Sequence, residues 1–454
     1  MERRGRDPAR RRRRARAAPR RASSRLNRPA SWMARGPQLP PRQWVLSNMP
    51  LHMLKTKTMT SSRRRALFLL LALASVLAIA RPVPAHAAGM QIAVEDESSF
   101  FGPSYLQMAA VGHASELSTS YIRVNLIWAG VPGAAANSKR RPKVVRYSFA
   151  KIDNLVALAA TQKIRLQLTL TGPAPAWASS AHHAGVVGPN ATAYADFVRQ
   201  VATHFKGSIE RYSIWNEPNL TNWLQPSGGC KHFGPCIERI PGLYRALYTK
   251  AYSAIKRADP KAQVLIGETN PYLGLVGLAP LRFIRAVACR DDHYRVLRHC
   301  PGLTADGYAH HPYEFLHAPN YKYPGGDNAT IGVLGRLTGT LDKLARLRAL
   351  RSPSGRALDL YLTEFGYYHT GKRGQPVARR AAWEVQAFSI AAHNPRVKEM
   401  LQYLLFPLTP NPGGRGFDTS ILDPGGMPNQ EFRALQQWIA GALASGLVAA
   451  PGSG

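Results

Sequence analysis

The stretch RYSIWNEPNL, residues 211–220, runs an apolar, β-prone segment directly into Glu217, which stands between Asn216 and Pro218. An apolar run of that length broken by a proline reads as a strand that stops where the carboxylate begins. A second stretch of the same build, LDLYLTEFGYY at 358–368, ends on Glu364 ahead of Phe365 and Gly366. Outward from these two, short aliphatic or β-branched runs alternate with longer stretches of helical period, the pattern of βα units and a parallel sheet. The runs are MQIAV (90–94), YIRVNLIW (121–128), IRLQLTL (164–170), IERYSIW (209–215), QVLIGE (263–268), DGYAHH (306–311), LDLYLTEF (358–365) and EMLQYLLF (399–406). Eight in series predict an α/β fold, a single (β/α)8 TIM barrel with loop insertions at its C-terminal face.

The intervening helices are legible too. Residues 148–162 open on Ser148 as an N-cap with Ile152, Leu155 and Leu158 on one face, and 331–350 repeats Leu334, Leu337, Leu341, Leu344 and Leu347. Tyr244, Tyr248 and Tyr252 recur every fourth residue, as expected of a face packed on the sheet rather than a sugar-stacking ladder. The turn-rich segment 409–429 leads into a last helix from about Gln430.

The net charge of +34 over 454 residues is not a nucleic-acid signature, because 21 of the 60 Lys and Arg lie in residues 1–81, against only Glu2 and Asp7. Residues 63–87 have the anatomy of a secretory signal: Arg63-Arg64-Arg65, an apolar run from Ala66 to Ala80, and Ala85-His86-Ala87 as a small-x-small cleavage site. The apolar run is too short to predict stable membrane insertion. General and twin-arginine export both fit it. Residues 1–62 read as a basic N-terminal extension, disordered or the product of a translation start placed too far upstream, with Met49, Met53 and Met59 offering later starts. The barrel domain is assigned to 88–454, and the expected location is extracellular. Oligomeric state is not readable.

Four cysteines suit an exported chain, and local disulfides Cys230–Cys236 and Cys289–Cys300 are the simplest of three connectivities. His232, His293 and His299 lie nearby, but the spacings match no zinc pattern, so no metal and no cofactor are expected.

In a (β/α)8 barrel the active site is built where the strands end. Those positions hold Asp96, Arg123, Asn125, Trp128, Trp177, Asn216, Glu217, Glu268, Asn270, His310, His311, Tyr313, Glu364, Tyr403 and Phe406. Carboxylates, amides and aromatics in one ring suit a carbohydrate, whose rings stack on aromatic faces and whose glycosidic bond is cleaved by two carboxyls. WNEPN at the fourth strand end followed by LTEFGYY at the seventh resembles clan A of the glycoside hydrolases, in particular the cellulase-like family 5 and the xylosidase-like family 39, over about residues 90–440.

The resemblance implies a retaining double displacement with Glu217 as acid/base and Glu364 as nucleophile. It also implies Arg123 as the cation that keeps the nucleophile ionised, Asn216 as the ligand of the sugar 2-hydroxyl, and Tyr313 as the hydrogen-bond donor to the nucleophile, with His311 lining the same cleft. Many family 5 members carry a Trp on the eighth strand as the floor under the cleaved sugar; this chain has Tyr403 and Phe406 there. Trp128 and Trp177 are offered either to ligand or to each other. Glu268 is expected to pair with a basic neighbour at the rim. A secreted carbohydrate-binding protein without hydrolysis, and a transglycosylase, are the alternatives of the same fold.

Overall fold

The computed structural model of the chain describes residues 89–230, 234–272, 277–408 and 417–452. The basic extension and the signal segment read from the sequence lie outside these residues. All eight expected runs form strands: β1 (Gln91–Glu95), β2 (Tyr121–Ile127), β3 (Arg165–Thr171), β4 (Arg211–Ile214), β5 (Gln263–Thr269), β6 (Gly307–His310), β7 (Leu360–Leu362) and β8 (Val397–Tyr403). Every neighbouring pair is parallel, and β1 closes the ring against β8 with Ala93 opposite Leu401. This is a single (β/α)8 barrel.

Among the described residues, besides the short helix Glu97–Phe100, eight longer helices accompany the strands: α1 (Ser104–Glu116), α2 (Ala150–Ala160), α3 (Ala191–His204), α4 (Ile240–Ala258), α5 (Pro280–Val287), α6 (Leu334–Arg346), α7 (Val377–Ala392) and α8 (Gln430–Ala444). Asn190 and Asn429 cap α3 and α8 by accepting from two backbone N–H groups each. The cap expected of Ser148 does not form, since α2 starts at Ala150 after Phe149 without a side-chain cap. Leu347 falls past the end of α6 and is exposed, whereas the four leucines before it are buried against the sheet. Tyr244 and Tyr248 are core residues, as their spacing predicts.

The main apolar core fills the space between strands and helices. The lumen differs: its apolar contacts shrink to two small groups, Ala93-Tyr121-Leu401 and Leu265-Ala309-Tyr361. Gly307 is needed there, because a Cβ would lie 2.3 Å from the Tyr361 ring. The remaining lumen is ionic. Arg211 donates across the barrel to Glu399 (2.5 Å), Gln167 (3.2 Å), Gln91 (2.9 Å) and Gln263 (2.9 Å), with its guanidinium over the rings of Tyr121 and Tyr361 at 4.1 and 4.5 Å.

Two further features recur below. Behind the last helices, Arg380 of α7 pairs with Glu431 of α8 (2.5 Å), and Glu384 is buried beside them, so that burial pushes its carboxyl up to about 8 despite Arg380. After α8 the chain returns to β1: Met90 N–H donates to Leu447 O (2.9 Å) and Ala449 N–H to Met90 O (3.0 Å). Both expected disulfides are present, Cys230–Cys236 after β4 and Cys289–Cys300 between α5 and β6, so these sulfurs are not thiolate metal ligands.

Candidate active site

Strand ends aim the site's carboxylates. β4 stops at Ile214, and the next residues turn sharply: Trp215 and Glu217 have φ of +65° and +38°. On β5 the register slips around Glu268, whose φ is +49°. Left-handed backbone at non-glycine residues is costly and gathers at functional sites. Here it swings Glu217 and Glu268 toward the barrel axis.

Arg123, from β2, is the hub. It is 1% exposed and donates to Glu364 (2.9 Å), Glu268 (3.2 Å), Glu95, Asn216 Oδ1 (2.9 Å) and Thr169 Oγ1 (2.9 Å). Glu364 also accepts from the Tyr313 hydroxyl at 3.1 Å. Glu217 accepts from Asn270 Nδ2 and from His311 Nδ1, each at 3.1 Å. The other ring nitrogen of His311 donates to Glu268 (2.7 Å). Glu268 further accepts from Thr363 Oγ1 (2.7 Å). Oxygens of Glu217 and Glu364 and a ring nitrogen of His311 all lie within 4.8 Å of one another.

The charges follow from these contacts. Burial raises the Glu268 carboxyl, but Arg123 and His311 outweigh it and hold it down to about 2, so it is a permanent anion. Burial lowers the His311 pKa, but Glu364, Glu217 and Glu268 outweigh it and raise it to about 9, so the ring is an imidazolium that donates from both nitrogens. Glu364 is raised by burial and by Glu217, with His311 and Arg123 pulling it back. Glu95 is raised well above the carboxylate range, chiefly by burial. His310, next to His311, is neutral: burial lowers it to about 4.

Glu217, His311 and Glu364 are the three described residues whose donor atoms converge as metal ligands would. In the absence of a metal, both nitrogens of His311 are engaged by carboxylates, Nδ1 by Glu217 and Nε2 by Glu268.

Above it opens a cavity of about 440 Å3. Of the residues nominated from the sequence, Asn125, Asn216, Glu217, Asn270, Tyr313, Glu364 and Tyr403 line it. Arg123 and His311 do not; they lie fully buried beneath the carboxylates and hold them in place. Three nominations are corrected. Trp128 is 0% exposed, stacked on Phe197 and donating to the Tyr147 hydroxyl (2.8 Å), because the second strand ends one residue earlier and the ring turns into the helix layer. Trp177 packs edge-on against Trp128 and donates to Ala134 O (2.8 Å). Phe406 packs edge-on against His113 of α1, outside the cavity. Asp96 is no ligand either: it caps the short helix Glu97–Phe100 and accepts from Phe406 N–H (2.8 Å). Its neighbour Glu95 takes the lumen position, in alternation with Ala93.

Glu97, Trp223 and Phe417 line the cavity without having been nominated. All three sit in connections, where no periodicity marks them. Phe417 stands edge-on to Tyr403 at 5.6 Å. Glu268 pairs with a base as expected, although it does so inside the lumen rather than at the rim.

A search of curated proteins gives no match. Among solved structures, the chain resembles a family 39 glycoside hydrolase from Bacteroides cellulosilyticus, with 15% identity, TM-score 0.55, and coverage of 78% of this chain and 64% of that one. It thus spans less than two thirds of that protein. A monomeric beta-xylosidase from Caulobacter crescentus aligns at 17% identity and TM-score 0.48 (76% of this chain, 66% of that one). The xylanase 10B of Thermotoga maritima aligns at 14% and 0.49 (80% and 98%). At these identities the likeness concerns the fold. The model of the cellulase family, glycosyl hydrolase family 5, matches residues 85–394, more than half of the chain. With the barrel and the strand-end glutamates in place, the chain belongs to glycosyl hydrolase family 5, within clan A.

Proposed function

We propose that the protein is an exported retaining glycosidase in which Glu364 is the nucleophile and Glu217 the acid/base. One observation carries this reading: carboxyl oxygens of the two residues approach within 4.8 Å across a cavity that both line. Retaining enzymes keep the pair about 5–5.5 Å apart, whereas inverting ones need about 6.5–9.5 Å to admit water.

In the first step Glu364 attacks the anomeric carbon while Glu217 protonates the departing glycosidic oxygen, leaving a glycosyl ester on Glu364. In the second, Glu217 takes a proton from water, whose oxygen displaces Glu364. Arg123 and the Tyr313 hydroxyl each hold one oxygen of Glu364, which fixes the attacking geometry. Asn216 spends its Oδ1 on Arg123, so its amide NH2 is the donor left for a sugar hydroxyl. Tyr403 and Phe417 together supply the aromatic wall that a strand-eight tryptophan would otherwise provide. The substrate is a polysaccharide or glycoside. Export rests on the segment 63–87 and on two disulfides.

The test is a screen against arrayed polysaccharides, followed by NMR of the first-formed anomer. Retention is expected; inversion would remove Glu364 as nucleophile. Affinity without release of reducing ends would turn the reading to a binding protein, and elongated products to a transglycosylase.

A further inference from the structure

A second concentration of charge lies on the outer flank of the barrel. The connection between α5 and β6 (288–302) is closed by Cys289–Cys300 and folds back against α4 and the turn after α6. It gathers Arg290, Arg298 and His299 with Arg348 around a polar cavity of about 80 Å3. The contact is tight: a Cβ on Gly302 would lie 2.3 Å from Arg348 O. Arg245 of α4 stands alongside, donating to the carbonyls of Val287 (2.9 Å) and Pro301. Burial lowers its pKa, and the neighbouring Arg298 lowers it further.

Among the described residues no carboxylate lies within 4 Å of the guanidinium of Arg245, Arg290, Arg298 or Arg348. The two acids of the same connection are committed elsewhere: Asp292 pairs with Arg285 (2.7 Å), and Asp291 with Arg295 (3.3 Å) and the backbone N–H of His293 (2.8 Å). Arg290 Nε is buried with no hydrogen-bond partner. A desolvated donor amid repelling cations is unfavourable until an anion meets it.

We propose that this cavity is a binding site for a tetrahedral oxyanion, a phosphate or sulfate group. Planar guanidinium forks match such an anion, each with two parallel donors. The cavity, of about 80 Å3, has room for one oxyanion. No residue lines both this cavity and the catalytic one, so the site stands or falls apart from the glycosidase reading. The anion could be a free ion or a phosphodiester group of a polymer; the chemistry of recognition is shared.

The full chain, titrated with inorganic phosphate at constant ionic strength, should show a saturable rise in Tm beyond that given by chloride. In Arg290→Gln/Arg298→Gln the phosphate midpoint should weaken at least about tenfold, and in Arg348→Gln about fivefold, with the circular dichroism spectrum unchanged. Arg348 is exposed, so its substitution reads binding even if the double variant folds poorly. Poly(glycerol phosphate) in parallel sorts the source: tighter binding per phosphate than the free ion assigns a polymer, and equal or weaker binding the free ion. A phosphate response no larger than chloride's, or one kept in full by Arg348→Gln and the double variant, overturns the site.

Discussion

Two arginines sit in the same lumen and do different things. Arg211, low in the barrel, meets one carboxylate, three amide oxygens and two aromatic faces. Its charge is matched and its donors are satisfied. Arg123, nearer the strand ends, meets Glu95, Glu268 and Glu364 at once, with His311 the only other cation in contact with those carboxylates among the described residues. A buried site with surplus negative charge is costly unless a proton is shared or a face is open. Both outlets exist here: Glu95 is pushed toward its neutral form, and Glu364 and Glu217 face the cavity. One ion network closes the barrel; the other is left unbalanced where chemistry needs a movable proton.

The sharpest way to break this comparison is to neutralise one carboxylate at each end. Glu364→Gln should cut turnover by about 10^3-fold or more while leaving the denaturation midpoint unchanged or slightly higher, since burial already opposes that charge. Glu217→Gln should cost about 10^2- to 10^4-fold on substrates with poor leaving groups. At the other end, Glu399→Gln strands the Arg211 cation and should cost about 3 kcal/mol in urea denaturation with turnover nearly intact. Equal activity losses at both ends would erase the distinction.

His311 sharpens it further. Its folded pKa of about 9 exceeds the ordinary 6.5, so it adds stability that is fully present below about 6.5 and is lost as pH rises through 9. Activity should fall over the same upper range. His311→Gln should remove that alkaline limb and lower kcat about tenfold, with KM little changed, because the ring touches the carboxylates and not the cavity.

The smallest effect concerns the buried trio behind the last helices. Glu384 keeps its proton in the folded chain up to about 8 and loses it near 4.5 when unfolded. Its contribution is therefore complete below 4.5 and declines as pH rises toward 8. Glu384→Gln should flatten that slope and raise Tm at pH 8 by about 3 °C.

The strands were legible because short aliphatic and β-branched runs alternate with stretches of helical period, and Glu217 and Glu364 because each stands where such a run halts. What escaped depended on the third dimension. Trp128 and Trp177 differ from ligand-facing tryptophans only in which way a loop turns. Asp96 and Glu95 are neighbours, and a shift of one residue in the strand's end decides which faces inward. The imidazolium of His311 arises from three carboxylates on β4, β5 and β7 ends, a coincidence that no local pattern encodes. Phe417 and Glu97 lie in connections, where spacing carries no information.

The backbone bonds joining Met90 to Leu447 and Ala449 lay the first strand beside the segment that follows the last helix. The domain is thus nearly circular as a chain. A short linker from 449 to 89 would span a gap already bridged by hydrogen bonds, and new termini could be cut at an exposed turn such as 354–355, away from the cavity. The order in which the ribosome delivers the eight units would change while the ring they close stays the same.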